Sequence, residues 1–240
     1  MELRGASALV TGAGRGIGRA TALALGRAGA RVTAVARTPS DLDTLAAEIR
    51  QAGGEARAHP GDLRDPAVCE NAVRAAVEAH GPLRILVNNA GVGSFAPLAQ
   101  TTDEAWERIL ATNLTAAFRI TRAALPHLTQ GGGHVLMISS LAGTNPISGL
   151  SAYCASKAAL DHLARCLMLE VRHQGVKVTV VAPGSVDTEF GADAGRPRGD
   201  ASWMLQPEDV AETVLDILRA RDDAHVSRVE MRPSRPPKPA

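Results

Sequence analysis

The chain of 240 residues holds a single tyrosine, Tyr153, and one of its three lysines, Lys157, stands four positions later in the stretch "SAYCASKAAL". On a helix, residues four apart share a face, so a phenol and an ammonium meet there. A phenol with an ordinary pKa of about 10 is a competent acid at neutral pH and a poor base. A cation one turn away favours the phenolate and makes proton transfer reversible. The expectation is a Tyr153 pKa below its ordinary value, rising when Lys157 is replaced by methionine. Arginine would serve less well, being planar and essentially never deprotonated. The strand-like "HVLMISS" ends in Ser139 and Ser140, which offer hydroxyls to an oxygen on which charge builds. Asn113 lies midway along "DEAWERILATNLTAAFRITRAAL", where a polar residue has either a task or a solvent-facing position.

A second site is suggested at the start of the chain. The strand-like "ASALVTG" runs into "TGAGRGIG", with glycines at 12, 14, 16 and 18, and then into the helical "RATALALG". Such glycines permit a tight turn and let backbone N–H groups approach a pyrophosphate, which rests on the positive end of the helix. The spacing departs from GxGxxG, because counting from Gly14 and Gly16 the third position is Arg19. At the end of the second strand, "VTAVARTPSD" offers Ala36 and Arg37 and no acid before Asp41. A carboxylate there would accept from the ribose 2′-hydroxyl of NAD; Arg37, joined by Arg15, suits a 2′-phosphate instead. The pattern therefore predicts NADP(H) over NAD(H). Asp62 in "GDL" either meets the adenine amino group or caps the next helix. Further on, "APGSVDTEF" places Pro183 and Gly184 at a strand end and Thr188 within reach of a nicotinamide carboxamide.

These residues need a frame, and the apolar pattern supplies one. Strand-like runs alternate with helical ones from "ASALVTG" to "RVEMR", including a long helix from about Thr102 to residue 128 and another from about Ala152 to His173. Parallel strands need crossovers, and crossovers cover both sheet faces. The prediction is α/β: one domain over residues 1–240, with a mostly parallel seven-stranded sheet and helices on both faces. Residues 188–206 are too long for a routine connection and read as a loop or lid over the substrate, with Glu189, Phe190 and Trp203 as pocket candidates. The tail from residue 233 is proline-rich and is expected to be extended and flexible.

Composition narrows the function classes. With 45% hydrophobic and 21% charged residues and a net charge of +1, nothing draws the chain to nucleic acid or an anionic membrane. No apolar run reaches the roughly 18 residues of a membrane span, and the start shows no signal pattern, so the cytoplasm is expected. Cys69, Cys154 and Cys166 form no ligand or disulfide pattern and read as reduced core residues; no metal is expected.

Taken together, "TGAGRGIG", "NNAG" at 88–91, Asn113, Ser140 placed 13 residues before Tyr153, "YCASK" and "PGSVDT" resemble the short-chain dehydrogenase/reductase family over nearly the whole chain. The resemblance implies a Rossmann-type doubly wound domain and a catalytic tetrad of Asn113, Ser140, Tyr153 and Lys157. It selects Ser140 over Ser139 and gives Asn113 the task of holding a water that links Lys157 to solvent. It puts cofactor contacts on Gly12, Gly16, Gly18, Asp62, Asn89, Lys157 and Thr188. Ile17, Leu63, Ala90, Gly91, Pro183, Gly184 and Val186 stand beside them, with Arg15, Arg37 and Tyr153. The implied activity is hydride transfer between NADP(H) and a small ketone, aldehyde or 3-hydroxy acid. Reduction of 3-oxoacyl groups on an acyl carrier protein is the alternative, although "LPHLTQGGGHV" lacks basic residues for an acidic carrier. A third reading, NADPH sensing without turnover, would need neither Tyr153 nor Lys157. The long helices carry more apolar surface than one sheet face needs, so a homodimer or homotetramer is expected.

Overall fold

The computed structural model describes residues 1–190, 194–195 and 200–236. Seven strands form one sheet: β1 (Ser7–Thr11), β2 (Arg31–Ala36), β3 (Glu55–Pro60), β4 (Leu83–Asn88), β5 (Gly133–Ile138), β6 (Val176–Pro183) and β7 (Arg228–Met231). Their order is β3-β2-β1-β4-β5-β6-β7 and every pairing is parallel. The central strands β1 and β5 are buried along their whole length, as strands covered on both faces must be. The edge strand β3 alternates between exposed and half-buried residues.

The crossovers supply α1 (Gly16–Arg27), α2 (Pro39–Gln51), α3 (Pro66–His80), α4 (Asp103–Leu110), α5 (Ala116–Leu128), α6 (Ser151–Val171) and α7 (Pro207–Arg219). Leu25, Leu42, Ile49 and Val214 join α1, α2 and α7 in the core on one face of the sheet. Cys69, Ile120, Leu160 and Leu167 join α3, α5 and α6 on the other. Local signals fit these bounds. Pro39, Pro66 and Pro207 stand at helix starts, where a missing N–H costs nothing, and Thr102 caps α4 by accepting from Ala105 N at 3.2 Å.

Three expectations need correction. The long helix from Thr102 is not continuous, because a π turn at Ala111–Thr115 separates α4 from α5. The residue capping α3 is Asp65, which accepts from Ala67 N at 2.9 Å, and not Asp62. Of the cysteines only Cys69 is buried; Cys166 is exposed on α6, since a small side chain on a helix is as easily carried on its outer face. The lid expectation falls partly on residues 191–193 and 196–199, and the tail expectation partly on 237–240, which lie outside the described residues. No helix among the described residues is long and apolar enough to cross a membrane.

Candidate active site

Between β1 and β4 the strand order reverses direction, and connections leave the carboxyl edge toward opposite faces, opening a crevice. Side chains knit that edge together. Thr11 Oγ1 donates to Val87 O at 3.2 Å and accepts from Asn89 N at 2.9 Å and Ala90 N at 3.1 Å. Asn89 Nδ2 returns bonds to Thr11 O at 3.0 Å and Gly12 O at 3.2 Å. Asn89 thus shapes the glycine loop as well as lining the cleft, and Thr11, absent from the sequence-based site, is its partner. The signal was available: a threonine immediately before the first loop glycine.

At Gly12 and Gly18 the loop leaves no room for side chains. Gly12 has φ +63°, and a β-carbon there would lie 2.8 Å from Ala90 Cα. A β-carbon on Gly18 would lie 2.3 Å from both Gly12 O and Asn89 Nδ2, so this glycine packs beneath the loop and does not line the cleft. The N-cap residue of α1, Arg15, makes no side-chain cap, which leaves the first N–H groups of the helix facing the cleft for an anion.

The cleft encloses about 670 Å³, within the range of sites for cofactor-sized ligands. The structure brings to its walls Gly12, Arg15, Gly16, Ile17, Arg37, Asp62, Leu63, Asn89, Ala90, Gly91, Pro183, Gly184, Val186 and Thr188, together with Ser140, Tyr153 and Lys157. A dinucleotide therefore fits on three counts: a loop with no room for a β-carbon at Gly12 or Gly18, an uncapped helix start and a cleft of matching size. Three charged groups, Asp41, Arg64 and Arg108, were not anticipated there. Asp41, in the first turn of α2, reaches the wall beside Gly14, where a β-carbon would lie 3.3 Å from its Oδ2. Arg64 binds Asp62 at 2.6 Å through Nη2 and at 2.9 Å and 3.1 Å through Nε, holding the Asp62 carboxyl below the usual range. Arg37 is exposed and also helps to depress Asp62.

At the other end of the cleft, Ser140 follows β5 and its Oγ bonds the Tyr153 hydroxyl. Ser139 also lines the cleft, but its hydroxyl donates to Lys157 O at 3.5 Å, so the two serines differ in their partners. Lys157, only 4% exposed, donates through Nζ to Ile138 O at 2.8 Å and sits 5.7 Å over the Tyr153 ring. Burial lowers its pKa to about 8 against the support of Asp161. The expected low Tyr153 pKa does not appear: burial pushes the phenol up to about 12, although the bond from Ser140 pulls the other way. The reason is that Lys157 is itself weakened by burial and stands over the ring face, bonded to a carbonyl, so desolvation of the phenolate wins.

Asn113 is buried and does not line the main cleft. Its Oδ1 accepts from Val92 N at 2.8 Å, and its Nδ2 donates to Val92 O at 2.9 Å and Ser156 Oγ at 3.0 Å. The amide thereby anchors the segment after β4 to α6, and the solvent-facing alternative is excluded. Of the pocket guesses, Glu189 and Phe190 line the cleft, and the Phe190 ring centre is 5.1 Å from that of Tyr153. Trp203 stands apart from it, donating to Asp200 O at 2.9 Å.

A crevice at the switch point of a parallel sheet, with a glycine loop at one end and a tyrosine, lysine and serine at the other, defines a dinucleotide-binding oxidoreductase fold. Comparison with known proteins agrees: the family model for short chain dehydrogenase matches residues 6–198, and the chain belongs to that family of nicotinamide-using oxidoreductases. D-erythrulose reductase of Gallus gallus is 38% identical over 91% of this chain and 90% of its own length. Versicolorin reductase stcU of Emericella nidulans is 33% identical over 95% and 88%. Glycine betaine reductase ATRR of Emericella nidulans is 36% identical over 96% of this chain, which spans only 19% of that protein. Among solved structures, an alcohol dehydrogenase from Thermococcus sibiricus complexed with 5-hydroxy-NADP has a TM-score of 0.89 at 30% identity, covering 96% of this chain and 98% of that one. A metagenomic short-chain oxidoreductase in complex with NADP has 0.86 at 37%, covering 98% and 100%.

Proposed function

We propose that the protein transfers hydride between NADP(H) and a small ketone, aldehyde or hydroxy acid. The observation that carries this reading is the Ser140–Tyr153–Lys157 cluster, enclosed at one end of a cleft whose other end is the glycine loop. The nicotinamide supplies or accepts the hydride. Tyr153 gives its proton to the carbonyl oxygen in reduction, and its high pKa in the unliganded protein keeps it protonated until then. Ser140 donates to the same oxygen as charge builds, in a pocket where little water competes. Lys157 orients a ribose and, as a cation, lowers the cost of the phenolate. Asn113 acts by position, fixing Val92 and α6 relative to each other.

Arg15 and Arg37 would face the 2′-phosphate, and both NADP-bound structural neighbours support that choice. Asp41 opposes it, so the two cofactors must be compared directly. D-erythrulose reductase, as a relative, supports a small ketone. The test is a panel of small ketones, 3-oxo esters, 3-hydroxy acids and 3-oxoacyl thioesters followed by NADPH and NADH absorbance. Turnover of small ketones or alcohols is expected. Exclusive use of carrier-bound thioesters would replace the substrate assignment, and no turnover with any class would overturn the function. The cytoplasm and a homo-oligomer remain part of the proposal, the latter supported by Phe118 and Leu169 lying exposed on α5 and α6.

A further inference from the structure

Behind the Tyr153–Lys157 turn lies a buried charge that the chemistry above does not use. Asp161 stands one helical turn beyond Lys157 on α6 and is only 3% exposed, a place where an ionised carboxylate needs a partner. That partner is Arg228 of β7, whose Nη1 donates to Oδ2 at 2.6 Å. Arg228 Nη2 lies 3.2 Å from Glu230, which accepts from Arg232 at 2.7 Å. Alternating charges thus run from α6 along β7 to the surface. The same carboxylate packs on the Leu141–Gly143 turn that follows Ser140. A β-carbon on Gly143 would lie 3.0 Å from Asp161 Oδ2 and 3.2 Å from Lys157 O, so this turn packs tightly against α6 and a larger residue there would press the two apart. The second oxygen, Oδ1, is buried without a hydrogen-bond partner.

Folding alone does not ask for this pair, because burying two charges costs about what their attraction returns and an apolar pair would serve as well. Its position is what distinguishes it. Tyr153 and Asp161 face Lys157 from α6, and β7 contributes Arg228 with Glu230 behind it. From β5 comes the Ile138 carbonyl, from the residue after it the Ser139 hydroxyl, and from the π turn the Asn113 amide, none of which titrates. Asp161 is the anion among the described residues that supports the Lys157 ammonium against burial.

We propose that Asp161, fixed by Arg228, is a positioning residue of the hydride-transfer site: it keeps Lys157 a cation and clamps the Ser140 turn against α6. The inference rests on the function proposed above but is read by a separate signal. Lysine labelled with ¹³C at Cε gives resonances from Lys157, Lys177 and Lys238 alone, which Lys177→Arg and Lys238→Arg variants assign. In the full-length protein Lys157 is expected to titrate near 8. In Asp161→Asn the midpoint falls by about one pH unit, a roughly tenfold lower ammonium-to-amine ratio at fixed pH. The same displacement is expected in the pH profile of kcat, while KM for the substrate moves little. Arg228→Lys, which keeps the charge beside Asp161, retains a midpoint near the parent value. Should Asp161→Asn fail to fold with Arg228 unpaired, the double variant Asp161→Asn/Arg228→Met removes both charges and is expected to show a smaller fall. An unmoved Lys157 midpoint in the folded variant overturns the proposal, whatever its stability. Because the titration needs neither cofactor nor substrate, loss of the functional reading and loss of this one are told apart.

Discussion

The two ends of the cleft are built on opposite electrostatic plans. Around Tyr153 and Lys157 the groups are few, enclosed and bonded to backbone or to one another, and burial moves both pKa values toward the neutral forms. Around Arg37, Asp62 and Arg64 the groups are many, solvent-facing and ionised, and their contacts are charge on charge. The comparison teaches that the end performing proton transfer is tuned by exclusion of water, whereas the end recognising the nucleotide works by net charge and is open to screening by salt.

The most severe way to break this contrast is at the enclosed end. Tyr153→Phe should lower kcat by about 10³-fold while cofactor affinity, read by quenching of NADPH fluorescence, stays within a few fold; retained turnover would remove Tyr153 from the chemistry. The next effect needs no substrate. Because Tyr153 is the only phenol, its ionisation can be followed by ultraviolet absorbance without background. The midpoint in the unliganded protein should lie near 12, and oxidised cofactor should bring it down. An unliganded midpoint at or below about 10 would mean that burial does not govern this site.

At the open end the expected effects are smaller and depend on salt. Arg37→Asp should weaken NADPH binding by about 10- to 100-fold and NADH binding much less, with the difference shrinking at high ionic strength. Equal losses for both cofactors would detach Arg37 from the 2′-phosphate and promote Asp41 as a ribose acceptor. The smallest effect sharpens the rule about burial away from either end. His134, bonded to Thr179 Oγ1 at 2.7 Å between β5 and β6, has its pKa lowered to about 3 by burial. A folded pKa below the ordinary 6.5 means the unfolded chain takes the proton first, so stability is full above about 6.5 and declines as pH falls toward 3. Urea midpoints at pH 7 and pH 5 should therefore differ more in the parent than in His134→Gln.

Much of this was legible in the chain because it rests on spacing. Apolar runs such as those at β1 and β5 are buried on both faces and read as strands whatever their partners. Tyr153 and Lys157 are neighbours by helix geometry alone. What spacing does not carry is depth. The rise in the Tyr153 pKa comes from burial, to which residues distant in sequence such as Phe190 contribute. Asp161 looks in the sequence like one more charge on a solvated helix face, and only its pairing with β7 shows otherwise. Asp41 follows the second strand by five positions, too far along the chain to read as a strand-end acid, yet the start of α2 swings it back to the cleft wall.

The π turn at Ala111–Thr115 left no mark on the apolar pattern, and it has a consequence for how this chain tolerates change in length. A π turn is an α-helix carrying one surplus residue, so trimming one position there would let the helix run through unbroken. The cost would be local: the wider turn absorbs the surplus residue, so α4 and α5 would keep their rotational phase while the bulge itself disappeared. The backbone that presents the Asn113 amide to Val92 and Ser156 would be reset, and those bonds would be lost. Point substitutions on the outer faces of α4 and α5 should be forgiven; a single-codon deletion between them should not.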